Sequence, residues 1–448
     1  MSSVAERPRG PIVSSRWGLL DGHTMERYRA TGGYRSLQKA LDMGADAVVQ
    51  TVTGATLQGR GGAGFPAGQK WGFLPKDVFP RYLVVNGDES EPGTYKDRIL
   101  MERDPHQLIE GILICAFAVR AAQSFLYVRG EMALAQERLA AALTDAYHAG
   151  LIGKGILGSG WSHDVVLHWG AGAYIVGDET ALLESLEGKR GMPRLKPPFF
   201  PAAKGLYLQP TIVNNVETLS NLPWVVEHGG EAFAALGTEG ATGTRLFAVS
   251  GHVQRPGTYE VEQGVTTFRD LIMGHCGGMR EGRTLKAFIP GGGSSPWFFE
   301  EQLDLPLEPR PVGGAGSMLG SGAIVVMDDT TCAVRAAWRL VRFFANESCG
   351  KCTPCREGGG WMAKILRRIE DGAGREEDLD LLLDVGDNIS PGPYPRAAMD
   401  GEAAVPFPPR QTTICPLGPS AVAPVVSAIS RFRDEFLTHI KDGGCPFR

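Results

Sequence analysis

Cys349, Cys352 and Cys355 follow one another with two residues between neighbours, inside Glu-Ser-Cys-Gly-Lys-Cys-Thr-Pro-Cys-Arg-Glu-Gly, and Cys415 sits in Thr-Ile-Cys-Pro. That spacing is too short for a relaxed disulfide framework and suits three thiolates turned onto one small object. Three thiolates from one turn plus one from elsewhere are the ligand set of a [4Fe–4S] cluster. The fold must therefore carry a distant cysteine back to this turn. A structural zinc site is the competing reading, because zinc also takes four thiolates. Zinc knuckles come as separate Cys-x-x-Cys pairs, so three cysteines at successive spacings favour the cuboidal cluster. Cys445 is followed by Pro446 much as Cys415 is by Pro416, and spacing alone leaves either as the fourth ligand.

The remaining cysteines, Cys115, Cys276 and Cys332, are scattered like Cys445, as small core residues are. Thiolate ligation suits a reducing compartment. A net charge of −5, from 45 bases and 50 acids, offers no basic face for nucleic acid. No apolar run reaches the roughly 18 residues of a membrane span, and the N-terminus has no apolar signal core. A cytoplasmic protein that can still dock on a membrane-bound complex is expected.

The 448 residues leave room for several domains. Residues 1–58 read as a helical and coil extension. Within 59–242, the strands expected at 81–86, 124–129 and 164–168 alternate with helices at 105–122 and 131–148, which predicts an α/β unit with a largely parallel sheet. Over 243–330, a hairpin (246–251 and 257–262), a short helix (268–274) and strands at 285–289 and 323–327 suggest a β-grasp module. From 331 to 448 the period is helical. Val334, Ala337, Leu340, Val341 and Phe344 form one stripe, Met362, Ile365, Leu366 and Ile369 another, and Val422, Val426, Ile429 and Phe436 a third. That predicts a helical bundle holding the cysteines. The proline-rich stretch 391–409 reads as a surface excursion.

Gly59-Arg60-Gly61-Gly62-Ala63-Gly64-Phe65-Pro66 is a loop built for close backbone approach. Gly59, Gly61 and Gly64 fit G-x-G-x-x-G, a weak pattern here because residues 52–58 make a poor strand. Arg60 and Lys70 add cations for phosphate oxygens, and Phe65 and Phe73 offer flat faces for a ring, although core packing explains either one equally well. Asp88, Glu89 and Glu91 form an acidic loop, by default a solvated turn. Beside a nucleotide such carboxylates accept from ribose hydroxyls and repel a 2′-phosphate. A second close-approach segment, Gly170 to Ala181, carries Tyr174, Asp178 and Glu179. Asn214 and Asn215, a pair often found in turns, also suit a flavin edge. There is no Ser-His-Asp pattern, no G-x-x-x-x-G-K-[ST] loop and no histidine-rich metal site.

Taken together, Gly59 to Trp71, Asn86 to Arg98, Gly170 to Ser185, Pro193 to Pro201, Asn214 to Leu219, Glu347 to Gly358 and Thr413 to Gly418 resemble a known family. It is the family of NADH-binding subunits of the 51 kDa type that carry FMN and a [4Fe–4S] cluster in NADH-quinone oxidoreductase, respiratory complex I. The resemblance covers residues 30 to 440. It implies a flavin-binding α/β domain unlike the common dinucleotide fold, a β-grasp (ubiquitin-like) domain and a C-terminal four-helix bundle. For NADH it implies Gly59, Arg60, Gly61, Gly62, Ala63, Gly64, Phe65, Lys70, Phe73, Glu91, Glu179, Lys196 and Phe199, with Phe65 and Phe73 flanking the adenine and Glu91 at the ribose. For FMN it implies Gly61, Lys70, Asn86, Asp88, Tyr174, Gly177, Asp178, Glu179, Asn214, Asn215 and Thr218. It chooses Cys415 over Cys445 to join Cys349, Cys352 and Cys355 as iron ligands. Ala67, Gln69, Gly87 and Asp178 depart from the family's commoner residues, and 391–409 accounts for an unusually long step from Cys355 to Cys415.

The implied reaction is hydride transfer from NADH to FMN, then single-electron transfer through the cluster, with no proton-transferring catalytic residue. The implied partners are a thioredoxin-like [2Fe–2S] subunit and other peripheral-arm subunits, with quinone as final acceptor. The nearest rival is the diaphorase subunit of a soluble NAD-reducing hydrogenase or formate dehydrogenase. Those relatives often fuse further iron–sulfur domains that this sequence does not contain. A zinc-stabilised adaptor without catalysis is the rival from another class.

Overall fold

The computed structural model describes residues 10–394 and 408–447. Four strands, β1 (Tyr82–Gly87), β2 (Gln123–Val128), β3 (Val165–Trp169) and β4 (Thr211–Asn215), form a sheet of order β3-β2-β1-β4 with every pair parallel. Leu83, Val84 and Val85 are fully buried, which explains why β1 reads as a continuous apolar run rather than an alternating one. Behind the sheet runs Pro105–Val119. Its Asp104 cap accepts from the Gln107 N–H, proline occupies its first turn, and Arg120 ends it in a left-handed conformation. This helix is buried on nearly every side, so it is a core element rather than an amphipathic one. Helices Met25–Ala30, Arg35–Met43 and Ala45–Gly54 precede the glycine loop.

A second sheet orders Gly257–Glu262, Thr244–Gly251, Ala323–Asp328 and Leu285–Ile289. The two central strands are parallel and the outer pairs antiparallel, which is the expected β-grasp arrangement. The short helix expected at 268–274 is a wide helical turn over Asp270–His275.

Ala333–Glu347, Gly359–Glu370, Glu377–Ile389 and Leu417–Lys441 make the bundle. All three stripes read from the sequence face its interior except Leu340, which stays partly exposed and packs beside Gly293 of the β-grasp unit. The helix at Glu377–Ile389, absent from those stripes, buries Leu379, Leu382, Leu383 and Ile389 beneath an acidic outer face. Of the proline-rich stretch, residues 391–394 and 408–409 have no regular structure, and 395–407 lie outside the described residues.

Candidate functional site

Parallel strands point their carboxyl ends to one edge, and the crevice beyond that edge is where such sheets take ligands. Here that edge carries Asn86 opposite Asn215 in register, with Asn214 beside them. Asn86 Nδ2 donates to the Gly177 carbonyl at 2.9 Å and pins the turn Tyr174–Gly177 over the edge. Asn214 Oδ1 accepts from Trp71 Nε1 at 3.1 Å. Asn215 caps the following helix by accepting from the Glu217 N–H at 3.0 Å, and it donates to Asp97 at 2.7 Å. Thr218 Oγ1 accepts from the Arg60 N–H at 2.8 Å, which fastens the glycine loop to the same edge. A Cβ on Gly61 would stand 3.1 Å from Asn215, and Gly62 and Gly64 have φ of 125° and 67° that favour glycine. Ala63 completes the loop. A helix precedes it and Ala67–Gly72 follows it, so the strand–loop–helix of the common dinucleotide fold is indeed missing.

Arg60 does something other than the phosphate contact expected of it. Its side chain is fully buried, and Nη2 donates to the carbonyls of Thr242 (3.0 Å) and Thr244 (2.9 Å). Lys70 supplies the cleft's charge instead. Lys70 Nζ donates to Glu179 Oε2 at 3.0 Å and to the Val213 carbonyl at 2.8 Å, and Lys196 Nζ donates to Glu179 Oε1 at 3.0 Å. Burial pushes the Glu179 carboxyl up, but the two ammonium groups overcome it and hold the acid below its usual range. Phe199 lies half-buried on the Lys196 segment. Phe65 and Phe73 are 44% and 63% exposed with ring centroids 5.7 Å apart, so neither is a core residue.

Asp178 caps the helix Glu179–Leu186, its Oδ1 accepting from the N–H groups of Thr180 and Ala181. The departure from glutamate at this position thus leaves a side chain with a structural task. Asp88 is pushed up to about 7 by burial, and its Oδ1 has no protein partner among the described residues. Glu91 accepts from the Tyr174 hydroxyl at 2.8 Å and from the Ser294 N–H at 2.6 Å. Ser294 belongs to the β-grasp unit, and nothing in the sequence marked it as a neighbour of the cleft; Trp71 closes the glycine-loop motif, but its bond to Asn214 shows only in the fold.

At the near end of the bundle, Cys349, Cys352, Cys355 and Cys415 line one small cavity with Ile175, Ser348, Thr413 and Leu417. Cys352 Sγ accepts from the Ile414 N–H at 3.4 Å, and Ser348 Oγ lies 3.3 Å from Cys355 Sγ. Burial pushes the Cys415 thiol up to about 12, so a thiolate there needs a positive partner such as bound iron. Three of these cysteines come from one turn and the fourth from just before the last bundle helix, the ligand set of a cuboidal cluster. Cys445 is not at this cavity.

Cleft and cavity meet at one dipeptide. The Tyr174 N–H donates to Glu347 at 2.9 Å, at the end of the first bundle helix, and its ring packs on Phe343 and Phe344 at 5.3 and 5.7 Å. The next residue, Ile175, lines the cysteine cavity. The amide edge, the glycine loop and the unpartnered Asp88 oxygen fit a polar, planar cofactor, and the cavity fits an iron–sulfur cluster. A chain that holds these two seats one residue apart falls in the class of iron–sulfur flavoproteins.

Residues 52–224 match the Nuo51 FMN-binding domain, 245–325 the SLBB domain, and 335–439 the NADH-ubiquinone oxidoreductase-F iron-sulfur binding region. The chain is 48% identical to the F subunit of NADH-quinone oxidoreductase from Mycobacterium tuberculosis, with 98% of this chain and 96% of that protein covered. It is 47% identical to the corresponding protein of Streptomyces coelicolor, covering 99% and 94%. A chain of an NAD+-reducing [NiFe]-hydrogenase superposes with a TM-score of 0.78 at 34% identity, covering 98% of this chain and 67% of that one. The chain belongs to the family of NADH-quinone oxidoreductase F subunits, the 51 kDa type. It is an oxidoreductase that works with NADH, FMN and a [4Fe–4S] cluster, as a member of a multi-subunit assembly of the complex I kind.

Proposed function

We propose that the glycine loop Gly59–Gly64, with Phe65, Lys70, Phe73, Glu91, Glu179, Lys196 and Phe199, receives NADH, and that Gly61, Lys70, Asn86, Asp88, Tyr174, Gly177, Asp178, Glu179, Asn214, Asn215 and Thr218 would hold or surround the flavin. When bound, FMN accepts a hydride and yields electrons singly, which is the conversion an iron–sulfur cluster requires. The protein's own part is placement. The loop's N–H groups and Lys70 take phosphate oxygens. Phe65 and Phe73 cover a ring at the mouth. Glu91, fixed by Tyr174 and Ser294, presents its charge where a ribose hydroxyl binds and a 2′-phosphate is repelled. Cys349, Cys352, Cys355 and Cys415 hold the cluster. The contact of Tyr174 and Ile175 with the cleft on one side and the cavity on the other carries this reading, because electrons hop efficiently only over short distances.

The division that serves this function is an extension (1–58), a cofactor domain (59–242), a β-grasp domain (243–330) and a bundle (331–448). Electrons leave to a thioredoxin-like [2Fe–2S] subunit and finally to quinone, on the cytoplasmic side of the membrane. Among the described residues no helix is long and apolar enough to cross one. The higher identity to quinone-linked relatives than to the hydrogenase chain supports quinone as acceptor over a soluble diaphorase role. Absorbance spectroscopy tests the core of the reading. The purified protein should be brown-yellow and its flavin band should bleach on NADH addition. A colourless protein, or a flavin band that NADH leaves unchanged, would overturn it.

A further inference from the structure

The far end of the bundle holds a second group of ligand-type side chains that the electron path does not use. Cys332 precedes the first bundle helix, Glu370 ends the second, His439 lies in the last turn of the fourth, and Cys445 follows it. All four are buried, and their ligand atoms all lie within 4.8 Å of one another. Cys332 Sγ stands 3.2 Å from His439 Nε2 and 3.6 Å from Glu370 Oε2, and those last two atoms are 3.4 Å apart. With zinc–ligand bonds of about 2.0–2.3 Å, the edges of a coordination tetrahedron measure roughly 3.3–3.8 Å. The atoms therefore already stand close to the corners such an ion would impose, and they are too crowded to enclose a cube of irons and sulfides.

The surrounding contacts are those that orient metal ligands. His439 Nδ1 lies 2.6 Å from the Glu435 carbonyl, which fixes the proton on Nδ1 and leaves the Nε2 lone pair facing the group. Arg335 holds Glu370 Oε1 at 2.7 Å through Nε, leaving Oε2 turned toward Cys332 and His439. The Arg335 N–H donates to Cys332 Sγ at 3.3 Å. Two thiolates and a carboxylate carry three negative charges, which a divalent ion and the Arg335 guanidinium balance, so the buried charges are paired.

We propose that Cys332, Glu370, His439 and Cys445 form a structural site for a divalent ion of the zinc class, separate from the iron–sulfur cavity. The two sites occupy opposite ends of the bundle. Cys349 follows the same helix that Cys332 precedes, 15 residues long, which spans about 22 Å. An ion without redox chemistry at this distance clamps the ends of three helices and the chain after Lys441, and so stiffens the frame from which the cluster cysteines hang.

The test uses the full chain purified with its flavin and iron. The protein is equilibrated with zinc and then with metal-free buffer, and zinc, iron and flavin are counted in one sample. About one zinc per chain should remain in the wild type and less than about a tenth in Cys445→Ser, with iron and flavin unchanged. Cobalt loaded in place of zinc should show thiolate-to-metal absorption that Cys445→Ser abolishes. Iron and flavin counts separate this proposal from the cofactor assignment, because they stay normal if only the zinc reading fails. Wild-type protein that retains less than about a tenth of a zinc would overturn the proposal, and this holds even if the variant fails to fold. A disulfide between Cys332 and Cys445 in the purified chain, or a zinc count that Cys445→Ser leaves unaltered, would overturn it equally.

Discussion

The Tyr174 hydroxyl donates to Glu91 Oε2 at 2.8 Å, across the seam where the cofactor cleft, the β-grasp unit and the bundle meet. Burial raises the Glu91 carboxyl, while hydrogen bonds from Ser294 and Tyr174 oppose that rise. The carboxyl is thus fixed in place by Tyr174 and Ser294 rather than left as a mobile surface side chain.

Glu91→Gln keeps the shape and removes the charge. Repulsion of a 2′-phosphate then falls, and the ratio of kcat/KM for NADH over NADPH should drop by roughly tenfold or more, about 1.4 kcal/mol. Steady-state kinetics with both nucleotides measures it. An unchanged ratio would remove Glu91 from the ribose.

Cys352→Ser should separate the two cofactors. Its sulfur lines the cysteine cavity and accepts from the Ile414 N–H, on the bundle side of the Tyr174–Ile175 seam. Iron per chain should fall from about four to below roughly one while flavin content holds. NADH should still bleach the flavin, and electron delivery to an iron–sulfur partner should be lost. Normal delivery would contradict the ligand assignment.

Much of this was legible because local signals agreed. The apolar run at β1, the proline-started helix at Pro105 and the three stripes of the bundle each reflect a burial pattern that sequence records directly. Arg60 shows where such reading stops. An arginine inside a glycine loop looks like a phosphate ligand, yet its guanidinium is drawn inward to the carbonyls of Thr242 and Thr244, nearly 200 residues away in the chain. Asp178 was similarly ambiguous until its helix began at the next residue. Cys332 and Cys445 look like scattered core residues, because the partners that give them meaning, Glu370 and His439, arrive only when the ends of the helices converge.

Lys70→Met should expose how the cleft balances charge. Lys70 and Lys196 hold Glu179 below the usual carboxylate range, and removing one leaves burial less opposed. The carboxyl should titrate at higher pH than in the wild type, so the acid limb of the kcat/KM profile for NADH should move upward. Loss of a charged hydrogen-bond donor in the cleft should also weaken FMN binding by tenfold or more, for about 1.5–3 kcal/mol. Flavin fluorescence titration and a pH–rate profile read the two effects. An acid limb that stays in place would show that Glu179 does not govern it.

His163 gives a pH dependence that is independent of the cofactors. Its Nε2 lies 2.7 Å from Ser124 Oγ on β2, and burial lowers its pKa from 6.5 to about 4. Between those values the unfolded chain binds a proton that the folded chain refuses, so stability from the neutral imidazole is whole above pH 6.5 and declines as pH falls toward about 4. Glutamine keeps a hydrogen-bonding side chain and never titrates. The stability advantage of the wild type over His163→Gln should therefore shrink as pH is lowered through that window, while shifts from every other group cancel in the difference. Urea midpoints of both proteins across the window measure it, and a constant gap would mean that the folded His163 titrates as it does in the unfolded chain.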